Sequence, residues 1–194
     1  MLRMLKRRKG EKTESDNDLT FEEKLRTIYL VDEIDYSVLD DFLPCMDMLD
    51  SDPGPIRIVL SSPGGEVEPG FAMYEAIKMA RNPVTIEGTG FVGSMAALVL
   101  QAGRKRLLSP LCRFMIHDGR ASNDGVMKEV LAFAKECQVQ HQKYCEVLAQ
   151  RTGMSVRKVK RYCNDETYMS AAQAVSLGFA DGILEPKKLT KEEA

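Results

Sequence analysis

An α/β fold around a largely parallel sheet is the class this sequence predicts, and three observations lead there. Short apolar, β-branched runs alternate with stretches of helical period; the helical connections have βαβ length; and Pro or Gly clusters separate the segments. In chain order, Thr27 to Val31 reads as a buried strand. Tyr36, Leu39, Leu43, Met46 and Leu49 recur at helical spacing, and Pro44 inside that run predicts a kink or a late start. The turn Ser51-Asp52-Pro53-Gly54-Pro55 leads to a strand from Ile56 to Leu60, which Pro63-Gly64-Gly65 breaks. A helix follows through Phe71, Ala72, Tyr74, Ala76, Ile77 and Ala80. Pro83 restarts the chain as a strand from Val84 to Glu87, after which Gly88, Gly90 and Gly93 lead into a helix beginning near Ser94. Two more strands are expected, Arg106 to Leu108 and Cys112 to Ile116.

The second half has a different texture. Val126 to Gln150 forms one long helical stretch with Val130, Leu131, Ala134, Cys137, Tyr144, Val147 and Leu148 on its apolar side. It is about twice the usual helix length, which predicts that it leaves the main body to meet something else. Ser155 is placed to cap a short helix through Tyr162, and Ser170 with Gln173 has the form of a capping box before a last helix closed by Gly178.

Composition narrows the classes. The 194 residues make one generous domain able to build a core without disulfides or metal, and 44 % hydrophobic with 29 % charged residues is globular rather than disordered. A formal net charge of −2 gives no general attraction for nucleic acid. Five cysteines with no C-x-x-C spacing fit buried thiols in a reducing cytoplasm better than a disulfide scaffold. The two histidines, His117 and His141, join no cluster of metal-ligand spacing, so neither a metal nor any other cofactor is expected. Residues 1–20 read as a flexible basic and polar tail, 21–187 as one domain and 188–194 as a second tail. A secretory leader would continue the basic start with an apolar run, whereas Glu11 to Asp18 is polar. The apolar run Phe91 to Leu100 is too short to cross a bilayer, which takes about 20 residues, so no membrane partner is expected.

Candidate chemistry gathers at strand ends. Gly93-Ser94-Met95-Ala96-Ala97 joins an apolar strand to an apolar helix, with small residues that admit a substrate and a helix N-terminus that favours developing negative charge. A serine nucleophile needs an adjacent base, and His117 stands at the mouth of the strand Arg113 to Ile116. His141, among polar neighbours on the long helix, reads as solvated surface. Asp165 and Glu166, lying between helices, are the acidic candidates to orient an imidazole. Ser62-Pro63-Gly64-Gly65 offers backbone amides for half of an oxyanion hole, with the amide of Met95 as the other half. Taken singly each has a plainer reading: Ser94 as a helix cap, His117 as a satisfied structural histidine, Asp165 and Glu166 as loop surface.

As a set, and in order, these segments resemble the Clp protease proteolytic subunit family, ClpP. The resemblance rests on Ser61-Ser62-Pro63-Gly64-Gly65-Glu66-Val67, Gly90-Phe91-Val92-Gly93-Ser94-Met95-Ala96 with Ala102-Gly103, and Arg113-Phe114-Met115-Ile116-His117. It continues through Tyr168-Met169-Ser170-Ala171-Ala172-Gln173-Ala174 and Leu177-Gly178-Phe179-Ala180-Asp181. It implies a crotonase-like subunit of repeated ββα units with the long helix as a protruding handle, two stacked rings enclosing a chamber, and a cytoplasmic serine endopeptidase acting on unfolded polypeptides delivered by a separate AAA+ Clp-type ATPase. It assigns attack to Ser94, proton transfer to His117 and oxyanion amides to Gly65 and Met95; Gly119, Arg120, Ala121 and Ser122 would hold an extended peptide. Glu166 falls where the family's acid is usually Asp, with Asp165 as runner-up. Asn164-Asp165 replaces the family's ring-pairing Asp-Arg, the Gln-Pro after the histidine is missing, and Val59 stands where a tyrosine helps form the ATPase-docking pocket. These departures mark a divergent branch, so a capsid-maturation protease of Clp type and an idle ring subunit stay as alternatives.

Overall fold

The computed structural model describes residues 20–22 and 26–185. The expected tails, 1–20 and 188–194, lie outside these apart from Thr20. The elements are β1 (Thr20–Glu22), β2 (Thr27–Val31), α1 (Tyr36–Ser51), β3 (Ile56–Ser62), α2 (Val67–Met79), β4 (Val84–Gly93), α3 (Met95–Ala102), β5 (Lys105–Leu108) and β6 (Arg113–Ile116). They continue with α4 (Met127–Thr152), α5 (Val156–Asn164), β7 (Thr167–Ser170), α6 (Ala171–Ser176) and β8 (Gly182–Ile183). The sheet has eight strands: β1-β2-β3-β4-β5-β8 run in order, parallel except for β1 at the edge, and β6 branches off parallel to β4 and carries β7 antiparallel. The α/β class read from the sequence is therefore the one observed. Among the described residues no helix is long and apolar enough to cross a membrane.

β3 shows why these strands form: Ile56, Ile58 and Leu60 alternate inward into the core while the residues between them are half-exposed. β4 departs from expectation. The glycines at 88, 90 and 93 do not end it; the strand continues to Gly93. Its first half pairs with β5 from Thr85 to Gly88, and its second half pairs with β6 from Phe91 to Gly93. Between them the register against β3 jumps, from Leu60 opposite Gly88 to Ser62 opposite Val92, with Gly90 at φ 62°. Glycine lets the strand bulge and change neighbours without a side chain in the way. Past that bulge the end of β4, Gly93 and so Ser94, runs beside β6 instead of β5.

Of the kink or late start expected at Pro44, the late start is ruled out: α1 begins at Tyr36 and continues past Pro44 to Ser51. Asp35 caps it by accepting from Val38 N–H at 2.8 Å. The expected caps at Ser155 and Ser170 are both present, the latter as a full capping box with Gln173. The apolar side assigned to α4 is only partly buried. Tyr144, Cys145, Leu148 and Ala149 enter the core, whereas Leu131 is 62 % exposed.

Candidate active site

α3 is buried throughout, and Ser94 precedes it at φ 52°, ψ −121°. That backbone belongs to the first central position of a type II′ turn, normally glycine, so the serine is held in a strained conformation. Two bonds fix it: Ser94 N–H donates to the Met115 carbonyl at 2.9 Å, and the Tyr144 hydroxyl donates to the Ser94 carbonyl at 3.1 Å. The side chain does not cap α3. Instead Ser94 Oγ lies 2.9 Å from His117 Nε2. β4 and β6 are paired through Gly93 and Met115, so a serine just after one strand meets a histidine at the end of the other.

The turn 63–66 forms the facing wall. Ile34 N–H donates to the Gly64 carbonyl and Glu66 N–H to the Ile34 carbonyl, each at 2.7 Å, so this bridge leaves the Gly65 N–H unused. Met95, as the first residue of α3, has no intrahelical acceptor for its own N–H. Ser94, His117, Gly65 and Met95 all line one cleft of about 1120 Å³, together with Gly119, Arg120 and Ala121. Ser122 is not part of that lining. Gly119, Arg120, Ala121 and Ser122 are exposed and carry no strand pairing.

Among the described residues neither acidic candidate bonds to His117. Glu166, at φ 45°, accepts from the Tyr168 hydroxyl at 3.1 Å, and that carboxylate raises the pKa of the phenol. Asp165 follows the end of α5 as its C-cap. β6 and β7 are antiparallel with Ile116 opposite Thr167, so the next rung would set His117 opposite Glu166.

His141 is not the solvated surface the sequence implied. Its Nε2 lies 3.1 Å from Asp118 Oδ1, and its ring stacks on Tyr144 with centroids 6.4 Å apart. Tyr144, Asp118 and His141 are the cleft residues that sequence reasoning missed. The available signal was the spacing Cys137, Gln140, His141, Tyr144, one stripe of a helix, with all four facing the cleft.

A hydroxyl in contact with an imidazole, at a strained strand-to-helix turn beside two unused amides, makes an α/β protein equipped for acyl-transfer chemistry. Comparison with known proteins narrows the class. The Clp protease family model matches residues 10–187, and the chain belongs to that peptidase family. It is 29 % identical over 181 residues to the ATP-dependent Clp protease proteolytic subunit 2 of Treponema pallidum (strain Nichols), covering 90 % of this chain and 91 % of that protein.

Proposed function

We propose that this chain is a serine endopeptidase that hydrolyses unfolded polypeptides, with Ser94 as nucleophile, His117 as general base and Glu166 as the orienting acid. The observation that carries the reading is the 2.9 Å contact between Ser94 Oγ and His117 Nε2 on a strained turn. For the hydroxyl to donate to Nε2, the neutral ring carries its proton on Nδ1. His117 takes the hydroxyl proton as Ser94 attacks the scissile carbonyl, then returns it to the departing amine; water repeats the sequence to release the acyl group. The tetrahedral oxyanion is met by the Gly65 and Met95 N–H groups and by the N-terminus of α3. Glu166 is favoured over Asp165 because one further rung of the ladder, past its end at Ile116 and Thr167, would bring it opposite His117. In the structure its Oε1 accepts from the Tyr168 hydroxyl, so orienting His117 takes a turn of the carboxylate toward Nδ1. Arg120 and its neighbours after His117 provide exposed backbone to pair with an extended substrate.

The same reading places residues 21–187 in one protease domain, assembled into stacked rings that enclose Ser94. The uncovered apolar residues of α4 support this. Coupling to a separate AAA+ ATPase is supported by the name of the Treponema relative and by the lack of any nucleotide-binding loop pattern in the sequence. An idle ring subunit is the second reading, favoured by the hold of Tyr168 on Glu166.

A fluorophosphonate probe with a short peptide substrate separates the two. Ser94→Ala should abolish labelling and peptidase activity, and His117→Ala should lower turnover by about four orders of magnitude. Glu166→Gln should cut turnover sharply while Asp165→Asn does not; the reverse pattern moves the acid by one residue. An unaltered protein that is neither labelled nor active establishes the idle subunit.

A further inference from the structure

α4 touches both halves of the candidate catalytic pair. Tyr144 donates to the carbonyl of Ser94 at 3.1 Å. One turn earlier His141 Nε2 lies 3.1 Å from the carboxylate of Asp118, the residue immediately after His117. The two rings stack at an interplanar angle of 20°, so each limits the movement of the other. Asp118 is held from α5 as well. Its N–H donates to the Cys163 carbonyl at 3.1 Å, and the Asn164 amide nitrogen, oriented toward the carboxylate, donates to Oδ2 at 2.9 Å.

His117 needs such a hold. The β6–β7 ladder stops at Ile116, and residues 117–124 have no regular structure. A base at a frayed strand end would lose the alignment that proton transfer needs. Resting on the reading of Ser94 and His117 given above, we propose that Asp118 and His141 are positioning residues. Their bond fixes the backbone of His117 to the same helix that holds Ser94 through Tyr144, and so sets the distance between nucleophile and base. The pair sits among Cys145 and Glu146 of α4 and Lys160 and Cys163 of α5; Cys145 Sγ is 3.4 Å from His141 Nε2. His141 is 27 % exposed and Asp118 51 % exposed, so either can be replaced without opening the core.

The test is a double-mutant cycle on the full chain, read by steady-state hydrolysis of a short fluorogenic peptide and by the rate of fluorophosphonate labelling at Ser94. His141→Ala and Asp118→Ala should each lower kcat and labelling rate about 10- to 100-fold with KM little changed. The double variant should be no slower than the worse single, because the two act through one bond. His141→Gln, whose amide nitrogen reaches the place of Nε2, should recover most of the loss; this rescue also guards against a variant that merely misfolds. Fully additive losses, no rescue by Gln, or a rise in KM at unchanged kcat would each overturn the proposal while leaving the catalytic reading intact. Failure of the unaltered protein to label at Ser94 would remove that reading, and the proposal with it.

Discussion

Gly64 lies where the turn before α2 presses on the nucleophile segment. A Cβ built there would fall 2.7 Å from the Ser94 Cβ and 2.8 Å from both the Gly93 carbonyl oxygen and the Met95 nitrogen, at a φ of 101°. Those neighbours are backbone or the nucleophile itself, so the direct relief is a displacement of Ser94 or Met95. Gly64→Ala should therefore lower kcat by about 100-fold, the effect of misplacing a reacting atom by about an ångström. Pre-steady-state fluorophosphonate labelling checks it, and an unchanged rate would show that the turn gives way elsewhere. At this scale Ser94 and His117 were legible because each sits in a local pattern, a small-residue turn before a helix and the end of an apolar strand. The Asp118–His141 contact was not legible, since it joins residues 23 apart through the packing of α4 onto the loop after β6. The stripe His141 shares with Cys137, Gln140 and Tyr144 marks a face of α4 but not that Asp118 would meet it.

Elements were legible in proportion to their own periodicity. The helices and the strands Thr27–Val31 and Ile56–Ser62 carry a repeat of their own and emerge close to expectation. β7 and β8, of four and two residues, are too short for one and exist because β6 and β5 offer ladder partners. Arg106, 5 % exposed, ties this late strand to the rest. Its guanidinium donates to Gln101 of α3, to the Gly178 carbonyl at 3.1 Å and to the Asp181 carboxylate just before β8. Burial pushes the Asp181 carboxyl up, but hydrogen bonds from the Arg106 side chain and backbone N–H outweigh this and leave its pKa below the ordinary value. A carboxylate so held contributes stability that is complete above its unfolded pKa of about 3.9 and is lost as pH falls through the lower folded value. Asp181→Asn should cost about 1–3 kcal/mol at neutral pH, less than a fully buried pair because the carboxylate is over a third exposed. Urea unfolding of both proteins should show the gap narrowing below about pH 4. A gap that stays constant to about pH 3 would mean the loss comes from packing and not from charge.

For the whole molecule the question is what α4 is for. Its 26 residues extend about 39 Å, and the first buried one is Tyr144, so some two-thirds of the helix precedes its contact with the core. At the start of that stretch Met127 is 73 % exposed and Leu131 62 % exposed, four residues apart and therefore on one stripe. The length of the helix was legible in the sequence; which of its residues stay uncovered was not, because the apolar side read from the spacing ran on from Val130 to Leu148 while only Tyr144, Cys145, Leu148 and Ala149 enter the core. Exposed apolar side chains in such a row suit a covered surface, and under the proposed ring stacking a second copy presenting the same stripe would be the covering. Met127→Glu combined with Leu131→Glu should leave the fold of each subunit intact, since neither side chain touches the core, and thermal melting of dilute protein should confirm it. The double substitution places like charges against each other at a self-complementary contact, so native mass should fall from the stacked assembly to a smaller species. Peptidase activity should fall with it if enclosure and stacking keep the site in order. A mass unchanged by both glutamates, or an unaltered protein that is already monomeric, would show that α4 serves some purpose other than assembly.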